Sequence, residues 1–260
     1  MPAQGRIETR TKHRDGVAAK LALPTKERKG VSPMDYQFDF SFLSASWREL
    51  LDGAWLTLRM SVATIVLGFV LGTALAVVRT QGPGWARRCV TGYVDVIRNT
   101  PLVIQAFWLF FGLAAVHVRV PAMAAAVLAL VVNVSAYTTE IVRAGIESVP
   151  RGQLEAASCL GLSRWQVLRL VVLPQAVERM YPALISQFVL MMLATSIMSQ
   201  ISAEELTAVG YRIQSETFRG FEIYIVIAVV YLVLSWLLRL SMAGVGAVVF
   251  TRRRRLKTAL

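Results

Sequence analysis

Residues of the kinds that most often carry catalysis are few in this 260-residue chain, and they are not grouped as in a common active site. One histidine, His13, lies in a basic N-terminal segment, and the other, His117, lies in a short loop between apolar runs. The sequence contains no H-E-x-x-H, no G-x-S-x-G and no phosphate-binding G-x-x-x-x-G-K-[ST] motif. We therefore predict no catalytic residue, no metal ligand and no bound cofactor.

The polar stretch at residues 140–180 has the residue types of a surface element within an otherwise apolar sequence. Pro150 is typical of a helix start, and Gly161 is typical of a left-handed helix end. Ser163 and Gln166 have the spacing of a capping box for a second helix, which Pro174 is expected to interrupt. The pattern predicts two short helices joined at residues 161–163.

Two interpretations of this stretch remain open from the pattern alone. In the first, four large side chains rest on the bilayer interface as part of an amphipathic surface helix, namely Leu154, Leu160, Leu162 and Trp165. In the second, Glu155, Ala156 and Ala157 enter a cleft on a soluble partner, because small side chains allow a close backbone approach and the glutamate supplies a charge.

The elements that must position this stretch are apolar. The chain is 55% hydrophobic and 17% charged, with a mean hydropathy of +0.54, whereas soluble domains are usually about a quarter charged. About twenty apolar helical residues cross a hydrocarbon core of ~30 Å. We predict an all-α integral membrane protein with about five transmembrane helices at residues 60–78, 99–116, 120–139, 181–203 and 223–238, the last extended through Arg239 to residue 250.

Polar side chains within the third and fourth runs are candidates for a substrate pathway. The predicted pathway residues are Asn133, Tyr137, Gln187, Thr195, Ser196 and Ser199. Hydrogen bonding between helices is the alternative role, since polar groups in hydrocarbon must find partners. An ion-coupled secondary transporter or channel is the alternative class of protein, but it should carry an ionisable group near mid-membrane. Glu140 is instead predicted to pair with Arg143 on one helix face.

The formal charge of +12 is concentrated at the two ends of the chain. Residues 1–33 hold eight Lys and Arg against three acids, and residues 251–260 hold five Lys and Arg, whereas residues 34–250 are nearly neutral. A nucleic-acid partner is not expected, because no basic face is formed. We predict a basic, disordered extension or a mis-assigned start at 1–33, an outer segment at 34–52, a transmembrane domain at 53–250 and a basic cytoplasmic tail at 251–260.

Residues 155–174 carry the spaced string E-A-A-x-x-x-G-x9-V-x-L-P, which resembles the signature loop of ABC importer permeases that work with an external binding protein. Three further strings resemble the polar amino-acid branch: R-N-T-P-L with Gln105 at 98–105, the segment 136–146, and T-F-R-G-F-E-I-Y at 217–224. The similarity runs over residues 34–240. The chain is identified as a member of the histidine/glutamine-type amino-acid permease family, with a fold similar to type I ABC importers.

The resemblance implies both a function and a set of partners. It implies a membrane subunit of an ATP-driven importer for polar amino acids or close derivatives, located in the bacterial inner membrane. It also implies ABC ATPase subunits that hydrolyse the ATP, an extracytoplasmic solute-binding protein, and a second copy or a sister permease. The signature loop would be the coupling helix that fits the ATPase, with contacts from Glu155, Ala156, Ala157, Gly161, Leu173 and Pro174.

The distribution of Lys and Arg predicts the orientation independently. With the signature loop in the cytoplasm, fourteen Lys and Arg lie inside and five lie outside, as the positive-inside rule requires, when residues 1–33 are left out. We hypothesise that Met34 is the native start or that residues 1–33 are an extension. Cys89 and Cys159 then face the reducing cytoplasm, and the acidic loop 202–222 is a candidate surface for the binding protein.

Overall fold

The computed structural model describes residues 36–250, so the predicted N-terminal extension and basic tail lie outside the described residues. A short unit, Met1–Phe38, separates from one compact unit, Asp39–Leu260. The described part of the compact unit is helical and contains no strand. Its helices are α1 Phe42–Gln81, α2 Gly84–Arg98, α3 Leu102–Ala115, α4 Ala122–Glu147, α5 Arg151–Cys159, α6 Arg164–Ile201, α7 Leu206–Thr217 and α8 Gly220–Val249.

Four helices, α1, α4, α6 and α8, are long and apolar enough to cross a membrane, and α2 with α3 makes a fifth span if the two are counted together. These two helices meet at an angle of 108°. The predicted span at 99–116 is therefore only the second arm of a bent pair. At 1.5 Å per residue, α3 alone covers about 21 Å and does not reach across a ~30 Å core. The predicted extension of the last span to residue 250 agrees with α8.

The bend between α2 and α3 is stabilised by one buried side chain. The amide nitrogen of Gln105 donates to the carbonyl oxygen of Ile97 at 2.8 Å and to both the carbonyl and hydroxyl oxygens of Thr100 at 3.1 and 2.8 Å. Its amide oxygen accepts a hydrogen bond of 3.0 Å from Asn133 of α4. Because Pro101 ends the first arm by lacking an N–H, these bonds satisfy carbonyls that the break would leave free.

The central helix pair is α1 with α4, and two glycines allow their backbones to approach. A Cβ atom at Gly68 would lie 1.9 Å from Val134 Cγ1, and one at Gly72 would lie 2.6 Å from the carbonyl oxygen of Ser135. The hydroxyl of Thr139 donates to the carbonyl oxygen of Gly72 at 3.1 Å. The small-xxx-small spacing in α1 is therefore a packing motif of this interface.

A buried carboxylate joins the short helix α7 to two of the long helices. Glu205 precedes α7 and is fully buried; its Oε1 accepts from the backbone N–H of Ala208 at 3.0 Å, as a helix cap does. Its Oε2 accepts from the Tyr231 hydroxyl of α8 at 2.5 Å and from the Thr57 hydroxyl of α1 at 3.5 Å. The carboxylate therefore holds α1, α7 and α8 together through polar contacts within an apolar cluster.

Candidate functional site

Residues 148–163 connect α4 to α6 and contain α5; with the first turns of α6 they form the helical projection that carries the signature string. Pro150 directly precedes α5, at the predicted helix start, and Gly161 follows the end of α5 with a φ of +72°, a backbone conformation that glycine adopts without strain. The Ser163 hydroxyl and the Gln166 side chain then form the predicted capping box at the start of α6. The predicted break at residues 161–163 is thus confirmed.

The prediction that Pro174 interrupts the second helix is wrong. The chain continues as one helix from Arg164 to Ile201, because a π-helical turn at Leu168–Val172 comes directly before the proline. The backbone N–H of Leu173 bonds to the carbonyl oxygen of Leu168, five residues back. The wider turn accommodates the proline ring and its missing N–H, and the helix resumes with Pro174 in its first turn.

Two of the six predicted coupling residues, Glu155 and Ala156, are exposed together on α5. Gly161 is also exposed, at the turn that follows. Ala157 is 4% exposed and faces the interior of the projection, where its carbonyl oxygen accepts from the backbone N–H of Leu162 at 3.2 Å. Leu173 and Pro174 belong to α6, where they line a cavity of about 360 Å³ with Phe250 and four other residues.

The predicted ion pair between Glu140 and Arg143 is present, and it belongs to a larger group at the end of α4. Arg79 of α1 also contacts Glu140, with 2.5 Å between Nη1 and Oε2, and Arg143 contacts Glu147. No sequence pattern indicated Arg79, which is 61 residues away from Glu140 along the chain. The group fixes the end of α1 to the helix that leads into the projection.

The six predicted pathway residues do not form one site. Asn133 is buried and donates to Gln105 at the α2–α3 bend. Gln187 is buried in the middle of α6, and the other three α6 residues, Thr195, Ser196 and Ser199, lie in its final 3₁₀ turns. The hydroxyl groups of those three residues each donate to a backbone carbonyl oxygen of the same helix, three residues back.

Tyr137 lines a cavity between α4 and α6. The Arg98 guanidinium lies over its ring, 5.3 Å from the centroid, a cation–π geometry. Both residues border a cavity of about 320 Å³ between α4 and α6, which also has Glu140 and Arg179 at its edge.

Only part of the acidic segment 202–222, the candidate surface for the binding protein, is exposed. Glu205 and Glu222 are fully buried, whereas Glu204 and Glu216 are exposed. Glu222 Oε1 accepts from the backbone N–H of Asp39 and lies 3.7 Å from Arg219 Nη1. Because Glu205 and Glu222 are buried, a count of acidic residues along the sequence overestimates the acidic surface. Among residues 36–250, no group of His, Cys, Asp and Glu is placed to hold a metal ion.

The geometry defines a class: an all-helical membrane protein with a capped helical projection between two of its spans. Residues 43–255 match the family described as "Binding-protein-dependent transport system inner membrane component", and the chain belongs to this family. It is therefore a multi-pass inner membrane protein and a permease subunit of an ABC importer. The comparisons favour this class over an ion-coupled transporter or channel.

Relatives with established names are similar over most of their length. The glutamine transport system permease protein GlnP of Escherichia coli (strain K12) is 38% identical over 205 residues, which cover 78% of this chain and 93% of GlnP. The octopine transport system permease protein OccM of Rhizobium radiobacter is 34% identical over 209 residues, which cover 77% of this chain and 85% of OccM.

Solved structures confirm the predicted fold. The crystal structure of an amino acid ABC transporter with histidines has a chain that is 34% identical, with a TM-score of 0.76 and coverage of 80% of this chain and 97% of that one. A chain of the MetNI methionine ABC transporter in an inward-facing conformation has a TM-score of 0.67 at 20% identity, which shows a shared fold.

Proposed function

We propose that this chain forms the translocation path of an ATP-driven importer for polar amino acids or close derivatives. It works as a dimer, with a second copy or with a sister permease. An external solute-binding protein delivers the substrate, and a separate ATPase drives the cycle. Support for the substrate class comes from the names of the relatives, which transport glutamine, octopine and nopaline, and from the similar amino acid ABC transporter structure.

The observation that carries the coupling role is the exposure of Glu155 and Ala156 on α5. This helix is short, is followed by the left-handed Gly161, and lies between α4 and α6. The small side chain of Ala156 leaves room for a partner's backbone, and the carboxylate of Glu155 supplies a charge that the partner can bind. The bilayer-interface alternative is supported by Leu160 and Trp165, which are 80% and 65% exposed, but these two residues lie outside α5 itself.

Two regions are assigned supporting roles. The cavity bordered by Arg98, Tyr137 and Glu140 lies on the predicted cytoplasmic half of α4 and is the site where we place the inner end of the substrate pathway. The exposed carboxylates of Glu204 and Glu216, at the opposite end of the bundle, are candidate contacts for the binding protein.

Reconstitution tests the proposal directly. The chain, its ATPase and its binding protein are placed in proteoliposomes, and uptake of labelled glutamine, arginine and related amino acids is measured. We expect uptake only when ATP is supplied on the ATPase side and the loaded binding protein on the other. Uptake driven by a proton or sodium gradient without ATP would overturn the proposal and favour the ion-coupled class.

A further inference from the structure

The first turns of α6 after Pro174 carry two polar side chains that hold the projection. The Gln175 side-chain amide donates to Oε1 of Gln153 in the first turn of α5 at 2.5 Å. One turn further along, Arg179 Nη1 donates to the carbonyl oxygen of Ser148, the residue that ends α4. The two contacts therefore fall on either side of the Val149–Pro150 linker.

The position of the Gln175 amide is itself fixed. The same nitrogen donates to the carbonyl oxygen of Val171 in the π-helical turn at 3.0 Å, and Gln175 is half-buried. Residues four apart on a helix lie on the same face, so Gln175 and Arg179 point toward the projection together. Each meets a different part of it: Gln175 meets α5, and Arg179 meets the end of α4.

Apolar packing contributes little to fixing the position of α5. Ala157 is the one residue of this helix that is buried, and an alanine covers little apolar area. The Gln153–Gln175 hydrogen bond joins two side chains that are 22 residues apart and directly links α5 to α6. Polar contacts therefore determine the orientation of α5 relative to α6.

We infer that Gln175 and Arg179 are positioning residues that make α5 move as one body with the start of α6. Displacement of α5 by the ATPase then turns α6 directly, and α6 carries the motion along the span that begins beyond Pro174. This inference rests on the proposed coupling role of α5. In this view Glu155 and Ala156 contact the ATPase, and Gln175 and Arg179 transmit the resulting displacement to α6.

Exchange of the hydrogen-bonded pair tests the inference. Gln153→Ala and Gln175→Ala each remove one partner of the hydrogen bond, and the double variant Gln153→Glu with Gln175→Lys replaces the bond with an ion pair of similar reach. We expect each single variant to lower the amount of amino acid moved per ATP hydrolysed by about five-fold, the effect of losing one such hydrogen bond. The double variant should restore it. A purely structural role would lower the amount of inserted protein without changing this ratio.

Gln81→Ala is the matched control for the single variants, since it makes the same truncation at an exposed glutamine at the end of α1. It should leave the transport-to-ATP ratio unchanged. Unchanged ratios in both single variants, or a double variant no better than either single one, would overturn the inference. A cross-link between Glu155→Cys and the ATPase is measured in separate samples with Cys89→Ser and Cys159→Ser and with Gln153 and Gln175 unchanged. Its absence there would overturn the proposed coupling role itself.

A second measurement does not depend on the folding of the single variants. Gln153→Cys and Gln175→Cys are joined by a short bis-maleimide in a background with Cys89→Ser and Cys159→Ser. Because α5 and α6 are inferred to move together, the unjoined protein should show the lowered transport-to-ATP ratio of the single variants, and joining should restore it. Loss of uptake on joining would show that the two helices must separate, and the inference would be wrong.

Discussion

The hydroxyl group of Tyr231 donates a 2.5 Å hydrogen bond to the carboxylate of Glu205, and both side chains are buried. A carboxylate buried in a helical bundle is costly unless its oxygens are bonded, and here both oxygens are. The contact joins α7 to α8, and Thr57 extends it to α1.

Replacing Glu205 should destabilise the protein. In Glu205→Ala the Tyr231 hydroxyl and the N–H of Ala208 lose their acceptor, so the free energy of unfolding should fall by about 1–3 kcal/mol. Thermal unfolding of the detergent-solubilised protein measures the change. Glu204→Ala, at an exposed neighbouring position, should unfold as the wild type does. Equal stability of the two variants would contradict the role of the buried carboxylate.

The same carboxyl should make stability depend on pH. Burial raises the pKa of Glu205 above its ordinary value, and the hydrogen bond from Tyr231 opposes this. The folded protein therefore binds the proton more tightly than the unfolded chain does. The contribution of Glu205 to stability is greatest below the ordinary glutamate pKa and declines as the pH rises through the raised value.

Glu205→Gln removes this titration while keeping the size of the side chain. The difference in unfolding temperature between wild type and Glu205→Gln should shift in favour of the variant as the pH is raised from 4 to 8. A difference that stays constant over this range would contradict the raised pKa.

The α1–α4 interface should not tolerate a side chain at Gly72. A Cβ atom there would lie 2.6 Å from a backbone oxygen of α4, so the helices must move apart. Gly72→Ala is expected to cost about 1–3 kcal/mol, measured as thermal stability in detergent. Gly92→Ala on α2, where no atom lies within 4 Å of the added methyl group, should be neutral or stabilising by about 1 kcal/mol.

Reversing the charge of Glu155 should stop transport without removing the protein from the membrane. Glu155 is exposed on α5, so Glu155→Lys changes the contact surface and leaves the internal packing intact. Uptake should fall to background while the amount of inserted protein is unchanged. Asp95→Lys makes the same charge change at an exposed position of α2 and should transport normally. Normal uptake by Glu155→Lys would refute the assignment of α5.

Orientation can be tested with the chain's own thiols. Cys89 on α2 and Cys159 at the end of α5 are both exposed and are both predicted to face the cytoplasm. A membrane-impermeant maleimide should label them in inside-out vesicles and not in right-side-out vesicles. Glu204→Cys, in a background that lacks both cysteines, should show the reverse pattern. Labelling of Cys159 from the outside would contradict the topology.

The sequence predicts the spans well because hydrophobic length is a local property. The four long helices and the extension of α8 to Val249 follow from runs that can be read along the chain. The capping box at Ser163 and the left-handed Gly161 were equally accessible, because both depend on residues a few positions apart. Local spacing was therefore enough for the framework and for the outline of α5.

Contacts between residues far apart in the sequence could not be predicted from local spacing. Nothing in the sequence pairs Glu205 with Tyr231 or Arg79 with Glu140, and Gln105 gave no sign that it stabilises a bend. Burial of Glu205 depends on how α7 folds against α1 and α8. The proline rule failed at Pro174 because the preceding turn is wider than an α-helical turn, which single-residue propensities do not describe.

The wide turn at Leu168–Val172 has a consequence for insertions and deletions. An α-helix advances by about 100° per residue, so the extra residue held in this turn sets the angular phase between the Ser163 end of α6 and the face that carries Gln175 and Arg179. Deleting one residue would rotate that face away from Gln153. The projection, although it lies at the surface, should thus be as intolerant of length changes as a buried span.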